Sequence, residues 1–153
     1  MSQNESTEFA FAHRKELPLA AAALVWQRWN QISSWHDWDQ SLSSTEAASD
    51  AIGLGQRFSV VPKMTGKPIP VTVVSSVEGL QFTTASAGPM GLMAFGHTLI
   101  IDTARETATL EHSICAVPAD AELFRTRMWN SLKADVVASV DALGNLVAKE
   151  QAA

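Results

Sequence analysis

Tyrosine is absent, cysteine occurs once, and no basic run is present anywhere in the 153 residues. Each shortage excludes something. A single thiol, Cys115, permits no internal disulfide, which fits a reducing compartment. Eleven Lys and Arg against sixteen Asp and Glu give a formal charge of −5, so no surface built to neutralise phosphates is expected, and nucleic acid is excluded as a partner. The longest apolar run, Leu19 to Trp26, falls well short of the ~20 residues that span a bilayer, so no membrane insertion is expected. The start, Met1 to Glu8, is polar and acidic and does not read as a signal peptide. The expected location is cytoplasmic. The lack of Tyr leaves no phenol as a proton donor in any interior site.

Apolar residues make up 46% of the chain, enough for a real core. The aromatic residues are unevenly placed: four of the five Trp (Trp26, Trp29, Trp35, Trp38) fall within thirteen positions. Residues 1–7 read as a flexible tail and 8–148 as a single domain. Glu8 to Leu17 alternates as a strand, with Phe9 and Phe11 on one face, and Pro18 ends it. Leu19 to about Asn30 reads as a helix, and Ser33 to Gln40 as a second, short one capped by Ser33 or Ser34, with Trp35 and Trp38 sharing a face. Strands are predicted over Gln56–Val61, Ile69–Val77, Leu80–Ala85, Leu92–Thr103 and Thr107–Val117. Gly53 and Gly55 read as turn positions, and the Gly- and Pro-bearing stretch Ser86–Gly91 as a mobile loop. Phe124, Met128, Leu132, Val136, Val140, Leu143 and Val147 recur at helical spacing, which predicts one amphipathic helix of ~25–28 residues, capped by Asp120 and fraying near Gly144. Consecutive strands with short turns, followed by a long helix with one apolar stripe, make an α+β fold with the helix laid against an antiparallel sheet.

These residues resemble a known pattern. Val25-Trp26 on the first helix, followed by Trp29, Ile32, Trp35 and Trp38, is similar to that of the START-like, or SRPBCC, superfamily, although Gln31 stands where many members carry Asp. The Gly55 strand entry, the Gly96-His97 strand, the strand from Thr107 to His112 and the last helix also fit, over about Glu8 to Val147. The nearest branch resembles the polyketide cyclase/dehydrase and lipid-transport proteins. The resemblance implies a helix-grip fold: a curved seven-stranded antiparallel sheet wrapped round the C-terminal helix, two short helices closing one end, and an apolar cavity inside. Fold does not dictate function, and members of this superfamily bind or transform very different molecules.

The chemistry-bearing residues of the cavity are histidines. His97 shares strand parity with Phe95 and Leu99, and His112 with Leu110 and Ile114, so both belong to the apolar inner face. A turn at Ala104-Arg105 sets His97 opposite His112, with Cβ atoms ~4.5–5.5 Å apart. The pair is the candidate for orienting a ligand oxygen or for acid–base work. His13 shares parity with Phe9 and Phe11 and lies on the strand that the family places beside the last one. Three scattered His without HxH or HExxH spacing are weak evidence for a metal, so no metal and no cofactor is expected. Cys115 points to the face opposite His112, which disfavours a Cys–His couple and leaves a small buried or semi-buried thiol. His36 and Asp37 are expected on the surface. The predicted cavity wall consists of Trp35, Trp38, Phe58, Val71, Val73, Phe82, Phe95, His97, His112, Phe124, Met128 and Leu132. Met64, Met90 and Met93 supply adaptable apolar surface near loops, and the Ser86–Gly91 loop would serve as a gate. Trp26 and Trp29 read as packing. The expected function is binding of a hydrophobic small molecule (a lipid, isoprenoid, polyketide or aromatic metabolite) by a monomer or homodimer. The alternatives are a cyclase, aromatase or dehydratase using the cavity histidines, and a protein-interaction module.

Overall fold

The computed structural model describes residues 8–153. The expected tail, residues 1–7, lies outside the described residues. Strand β1 (Ala10–Pro18) leads through a 3₁₀ turn (Leu19–Ala21) into helix α1 (Ala22–Trp29) and a short 3₁₀ helix (Ile32–Asp37). Strands β2 (Leu42–Glu46), β3 (Arg57–Pro62), β4 (Ile69–Val77), β5 (Gln81–Gly88), β6 (Gly91–Asp102) and β7 (Thr107–Pro118) follow, then α2 (Ala121–Arg127) and α3 (Trp129–Ala152). The strands form one antiparallel sheet in the order β1-β7-β6-β5-β4-β3-β2. This is the helix-grip arrangement. Register irregularities between Leu42 and Ser44 and between Val73 and Ser75 mark bulges, which bend the strands that carry them.

Side-chain alternation divides the sheet into an inner face toward the helices and an outer face toward solvent. Along β7 the inner residues Ala108, Leu110, His112 and Ile114 are buried while Cys115 is exposed. The free thiol therefore lies exposed on the outer face, which corrects the expectation of a buried or semi-buried one. Helix α3 covers the inner face with Val136, Ser139, Val140, Leu143, Gly144 and Val147. The buried side chains fall into two clusters: one around Trp29, Trp35, Trp38, Phe58, Phe82, Leu110 and Leu143, the other around Phe9, Ile114, Phe124, Trp129 and Val136.

Four local readings of the sequence change. The single long helix is two helices, because Met128 leaves helical geometry at φ −127° and ψ −36°. The hydrogen bonds from Met128 N–H to Phe124 C=O and from Leu132 N–H to Met128 C=O carry on across the break, so the apolar spacing that predicts one helix survives the kink. The kink lets Phe124 and Trp129 both pack on Phe9, at 5.0 and 5.4 Å between ring centroids. At the helix start, Asp120 accepts from the Leu123 amide, the cap that its sequence position calls for. Gly144 is not a point of fraying. It is buried beneath β1, and a Cβ there would stand 2.8 Å from Cδ of Lys15.

The third change concerns the stretch expected to form a loop, Ser86–Gly91. Strand β5 runs to Gly88 and β6 begins at Gly91, which pair across the tight turn Pro89-Met90. Gly91 has φ +109°, and a Cβ there would meet the Val117 carbonyl oxygen at 2.4 Å. The segment is a hairpin turn seated against the end of β7, not an irregular loop. The 3₁₀ helix also begins without a serine cap: Ser33 bonds Asp50 instead, and Ser34 donates to the Gln31 carbonyl.

Candidate ligand site

Register builds the site. Phe82 on β5 pairs with His97 on β6, His97 with His112 on β7, and His112 with His13 on β1, which makes one row across four strands. The His97–His112 pairing is the one that the Ala104-Arg105 turn predicts. The Phe82 ring stacks on His97 at 4.1 Å and 5°, and the two imidazoles meet edge to face at 4.8 Å. Three indoles roof the row. Trp29 lies 5.9 Å from both imidazoles, Trp35 lies 5.9 Å from His97, and Trp38 lies 5.4 Å from His112 and 6.4 Å from His97. All six of these side chains are buried.

The two histidines have different hydrogen-bond states. Trp29 donates through Nε1 to Nε2 of His112 at 3.2 Å. An indole only donates, so Nε2 must be the bare nitrogen and Nδ1 carries the proton. Nδ1 lies 2.8 Å from Oγ of Ser139, which in turn donates to the Val136 carbonyl. The chain Trp29, His112, Ser139, Val136 is thus directional, and it fixes the tautomer of His112 from both sides. His97 has no such chain: neither its buried Nδ1 nor the buried Nε1 of Trp38 has a partner at good hydrogen-bond geometry. Burial pushes the His97 pKa down to about 3, against the opposing effect of backbone hydrogen bonds to Phe82 and Phe95. Burial likewise holds His112 well below the usual imidazole range, and the neighbouring His97 adds to the effect. Both are neutral at physiological pH.

His13 ends the row at the sheet edge. It is partly exposed and meets Asp141 of α3 at 3.4 Å. The three histidines share a row, but no group of three His, Cys, Asp or Glu among the described residues is placed to hold a metal ion. His36 and Asp37 are exposed as expected, 3.5 Å apart. Beside the aromatic roof, Asp39 accepts from the amide and hydroxyl of Ser41. Its pKa is raised, mainly by burial and also by Asp135 of α3, whose own pKa is raised by burial.

The predicted wall residues divide between two places. Trp35, Trp38, Phe58, Val71, Val73 and Phe82 belong to the sealed cluster that also holds His97 and His112. Phe95, Phe124, Met128 and Leu132 belong to the other cluster. There Phe124 is buried, but Phe11, Met93, Phe95, Met128 and Leu132 stay only half-buried although they pack against it. Sequence reasoning gave Trp29 to packing alone and missed Ser139. The available signal for Ser139 was its position: a lone hydroxyl between Val136 and Val140 on a buried stripe needs a polar partner across the core. Of the expected adaptable methionines, Met64 and Met90 are exposed and Met93 is half-buried.

Two hollows lie away from the histidine row. One of about 90 Å³ sits between the Pro89-Met90 turn and α2, beside Leu123 and Phe124. A shallow one of about 520 Å³ lies along β4 to β7, where the outer-face side chains Val74, Leu92, Cys115 and Val117 are exposed.

Among known proteins, no family model matches this chain, and no curated protein matches it in sequence. Solved structures do match in shape. XoxI from Bacillus cereus superposes with a TM-score of 0.71 at 14% identity, over 93% of this chain and 97% of that one. A point mutant of Thalictrum norcoclaurine synthase, in complex with a transition state analogue, gives 0.65 at 13% identity, over 93% and 95%. DynU16, from the dynemicin biosynthetic locus, gives 0.63 at 17% identity, over 90% of this chain and 46% of that one. At such identities the likeness is one of fold.

Proposed function

We propose that this chain is a member of the SRPBCC superfamily, allied to its polyketide-cyclase and lipid-transport branch, that binds a hydrophobic small molecule between the inner sheet face and α3. The observation that carries the reading is the half-buried inner surface of Phe11, Met93, Phe95, Met128 and Leu132. Apolar side chains on an inner face gain most when water is fully excluded, at ~25 cal/mol per Å². Here a flexible methionine-bearing surface is left partly wet beside a buried core, the composition of an adaptable apolar site. An isoprenoid, polyketide or aromatic metabolite would complete its burial, with Phe95 and Leu132 in contact. No described helix is long and apolar enough to cross a membrane, and we place the protein in the cytoplasm.

Norcoclaurine synthase is an enzyme by name, and an enzymatic role for the histidine pair is the competing reading. The geometry favours binding. His112 has both nitrogens engaged, and burial pushes the His97 pKa down to about 3. Native mass spectrometry of freshly purified protein tests the proposal, with an apolar adduct expected. Leu132→Trp, which fills the half-buried surface, is expected to abolish the adduct while the fold is retained. A protein with no adduct, and with no affinity for the fluorescent apolar probe 1-anilinonaphthalene-8-sulfonate, would overturn it.

A further inference from the structure

The outer face of the sheet is apolar where a solvated face is ordinarily polar. An antiparallel sheet with one wet face alternates apolar and polar residues along each strand. Strands β6 and β7 do not alternate where Leu92–Phe95 pairs with Ile114–Val117. Met93, Phe95, Ile114 and Ala116 face inward there, and Leu92, Ala94, Cys115 and Val117 face outward, so both faces are apolar. That is the pattern of strands covered on both sides. Helix α3 covers the inner face. On the outer face Val117 is 67%, Leu92 56% and Val74 52% exposed. Charge is missing from the same place: no acid, lysine or arginine occurs from Gly79 to Ile101, which spans the whole β5–β6 hairpin. Depletion of charge at the centre is a compositional mark of a protein interface.

The same face carries both a ridge and a hollow. Thr72, Ala85, Ala94 and Cys115 stand in one row across β4 to β7 and make a floor of small side chains. Leu92 and Val117 pair in the next outer row and, with Val74, rise around that floor. The hollow between them has a volume of about 520 Å³. We propose that a second copy of this chain covers the face through a two-fold contact, in which the Leu92–Val117 ridge of each copy enters the hollow of the other. A two-fold contact uses one patch on both copies, so a surface that holds both bump and recess can be its own partner. Stacked sheets meet in this way at ~10 Å, with their strands within ~30° of one another. Ligand and partner would thus sit on opposite sides of one sheet.

Area and charge favour a second copy over other occupants. The strands β4 to β7, of 8 to 12 residues each, project to roughly 650 Å² at ~4.8 Å between strands and ~3.4 Å per residue. The relief of the side chains brings this near the ~800 Å² per partner of a standard interface. No lysine or arginine stands on the face itself to meet an anionic headgroup. Arg57 is at its rim on β3, beside Thr72, and Arg14 on β1 is paired with Glu111. A formal charge of −5 sets two copies against each other over most of their surface, and the charge-free face is where they meet at least cost.

Sedimentation velocity of the full chain from about 1 µM to 1 mM tests this. A reversible monomer–dimer equilibrium is expected, with a Kd of roughly 10–100 µM, the weak end for an interface of this size. Val117→Arg sets a charge in the contact at a position open to solvent in the single chain, and is expected to weaken association at least tenfold. Ala134→Arg, on the exposed side of α3, adds the same charge on the far side of the molecule and is expected to leave association unchanged. Cys115 supplies a second readout on the unaltered chain, because it is the one thiol. Its reaction with a bulky maleimide should slow as the protein concentration rises through the association range, and the labelled chain should stay monomeric. A monomer at every concentration, or a dimer that Val117→Arg leaves intact, overturns the proposal. So does labelling of Cys115 at one rate throughout. Binding of the monomer to phosphatidylcholine vesicles would give the face to a lipid surface instead, and overturns it too.

Discussion

The two ends of the interior are built from the same residue types and differ in how far they are closed. Toward the C-terminal half of α3, Trp29, Trp35, Trp38, Phe82 and the two histidines interlock with almost no exposure. Toward the α2–α3 kink, Phe9, Phe124 and Trp129 make a tight trio, but Phe11, Met93, Phe95, Met128 and Leu132 around them remain half-buried. The difference lies in the covering elements. Three indoles carried by α1, the 3₁₀ helix and the segment just after it fill the first end, while the kinked helix pair covers the second. Polar groups follow the same division. Where the aromatics are sealed, a neutral hydrogen-bonded chain crosses from α1 to α3 through His112. The sealed half is thus built for stability, and the surface proposed for binding lies in the other half.

The sharpest way to break this comparison is to truncate one aromatic from each end. Trp29→Ala removes a fully buried indole and strips His112 of its donor; a loss of about 3–5 kcal/mol is expected. Phe95→Ala, at a half-buried position, is expected to lose less than half as much. Urea unfolding followed by far-ultraviolet circular dichroism measures both. Equal losses would mean that the two ends are equally sealed.

A smaller change tests the polar chain alone. Ser139→Ala leaves the protonated Nδ1 of His112 buried without an acceptor, for about 1–3 kcal/mol. Adding His112→Phe to that variant removes the stranded group and should recover part of the loss, so the two substitutions are expected to be non-additive. Additive losses would show that the chain is not coupled.

How much of this was legible in the sequence follows from what each feature depends on. The His97–His112 pairing was readable, because strand parity and one short turn determine it. The seven-stranded sheet and the covering helix were readable from the order and spacing of the elements together with the resemblance. The tautomer of His112 was not, because it depends on Trp29 and Ser139, which are 83 and 27 residues away. The hairpin at Gly88–Gly91 was read as a gate because Gly and Pro announce a turn in the same way whether or not the backbone around it is packed. The division of the wall into sealed and half-open parts depends on the kink at Met128, which the continuous apolar spacing conceals.

The histidines also tie stability to pH. Both have folded pKa values below the ordinary imidazole value, so the unfolded chain binds more protons as the pH drops below about 6.5. Their contribution is complete above that pH and is lost as the pH falls from 6.5 toward 3, with a limiting slope of about 1.4 kcal/mol per pH unit for each histidine. The raised Asp39 and Asp135 act in the opposite sense at lower pH, because the folded chain then holds their protons more readily. Unfolding free energies between pH 7 and 4.5 should therefore fall less steeply in His97→Phe than in the parent chain. An unchanged slope would show that His97 is not shielded from protons in the folded state.

The smallest effect is expected where α3 crosses β1. A methyl at residue 144 would meet Cδ, Cε and Nζ of Lys15 at 2.8, 3.2 and 3.4 Å, all on the free end of a flexible side chain. Lys15 can swing away, at the loss of its 3.1 Å bond to Asn145. Alanine in a helix interior gains roughly 1 kcal/mol over glycine. Gly144→Ala is therefore expected to lie within about 1 kcal/mol of zero in the parent chain, and to become plainly stabilising once Lys15→Ala has cleared the space. Thermal melts of the two single variants and the double variant measure this. If Gly144→Ala were costly in both backgrounds, the close approach would be between backbones and not from the lysine, and α3 would lie nearer the sheet than its side chains indicate.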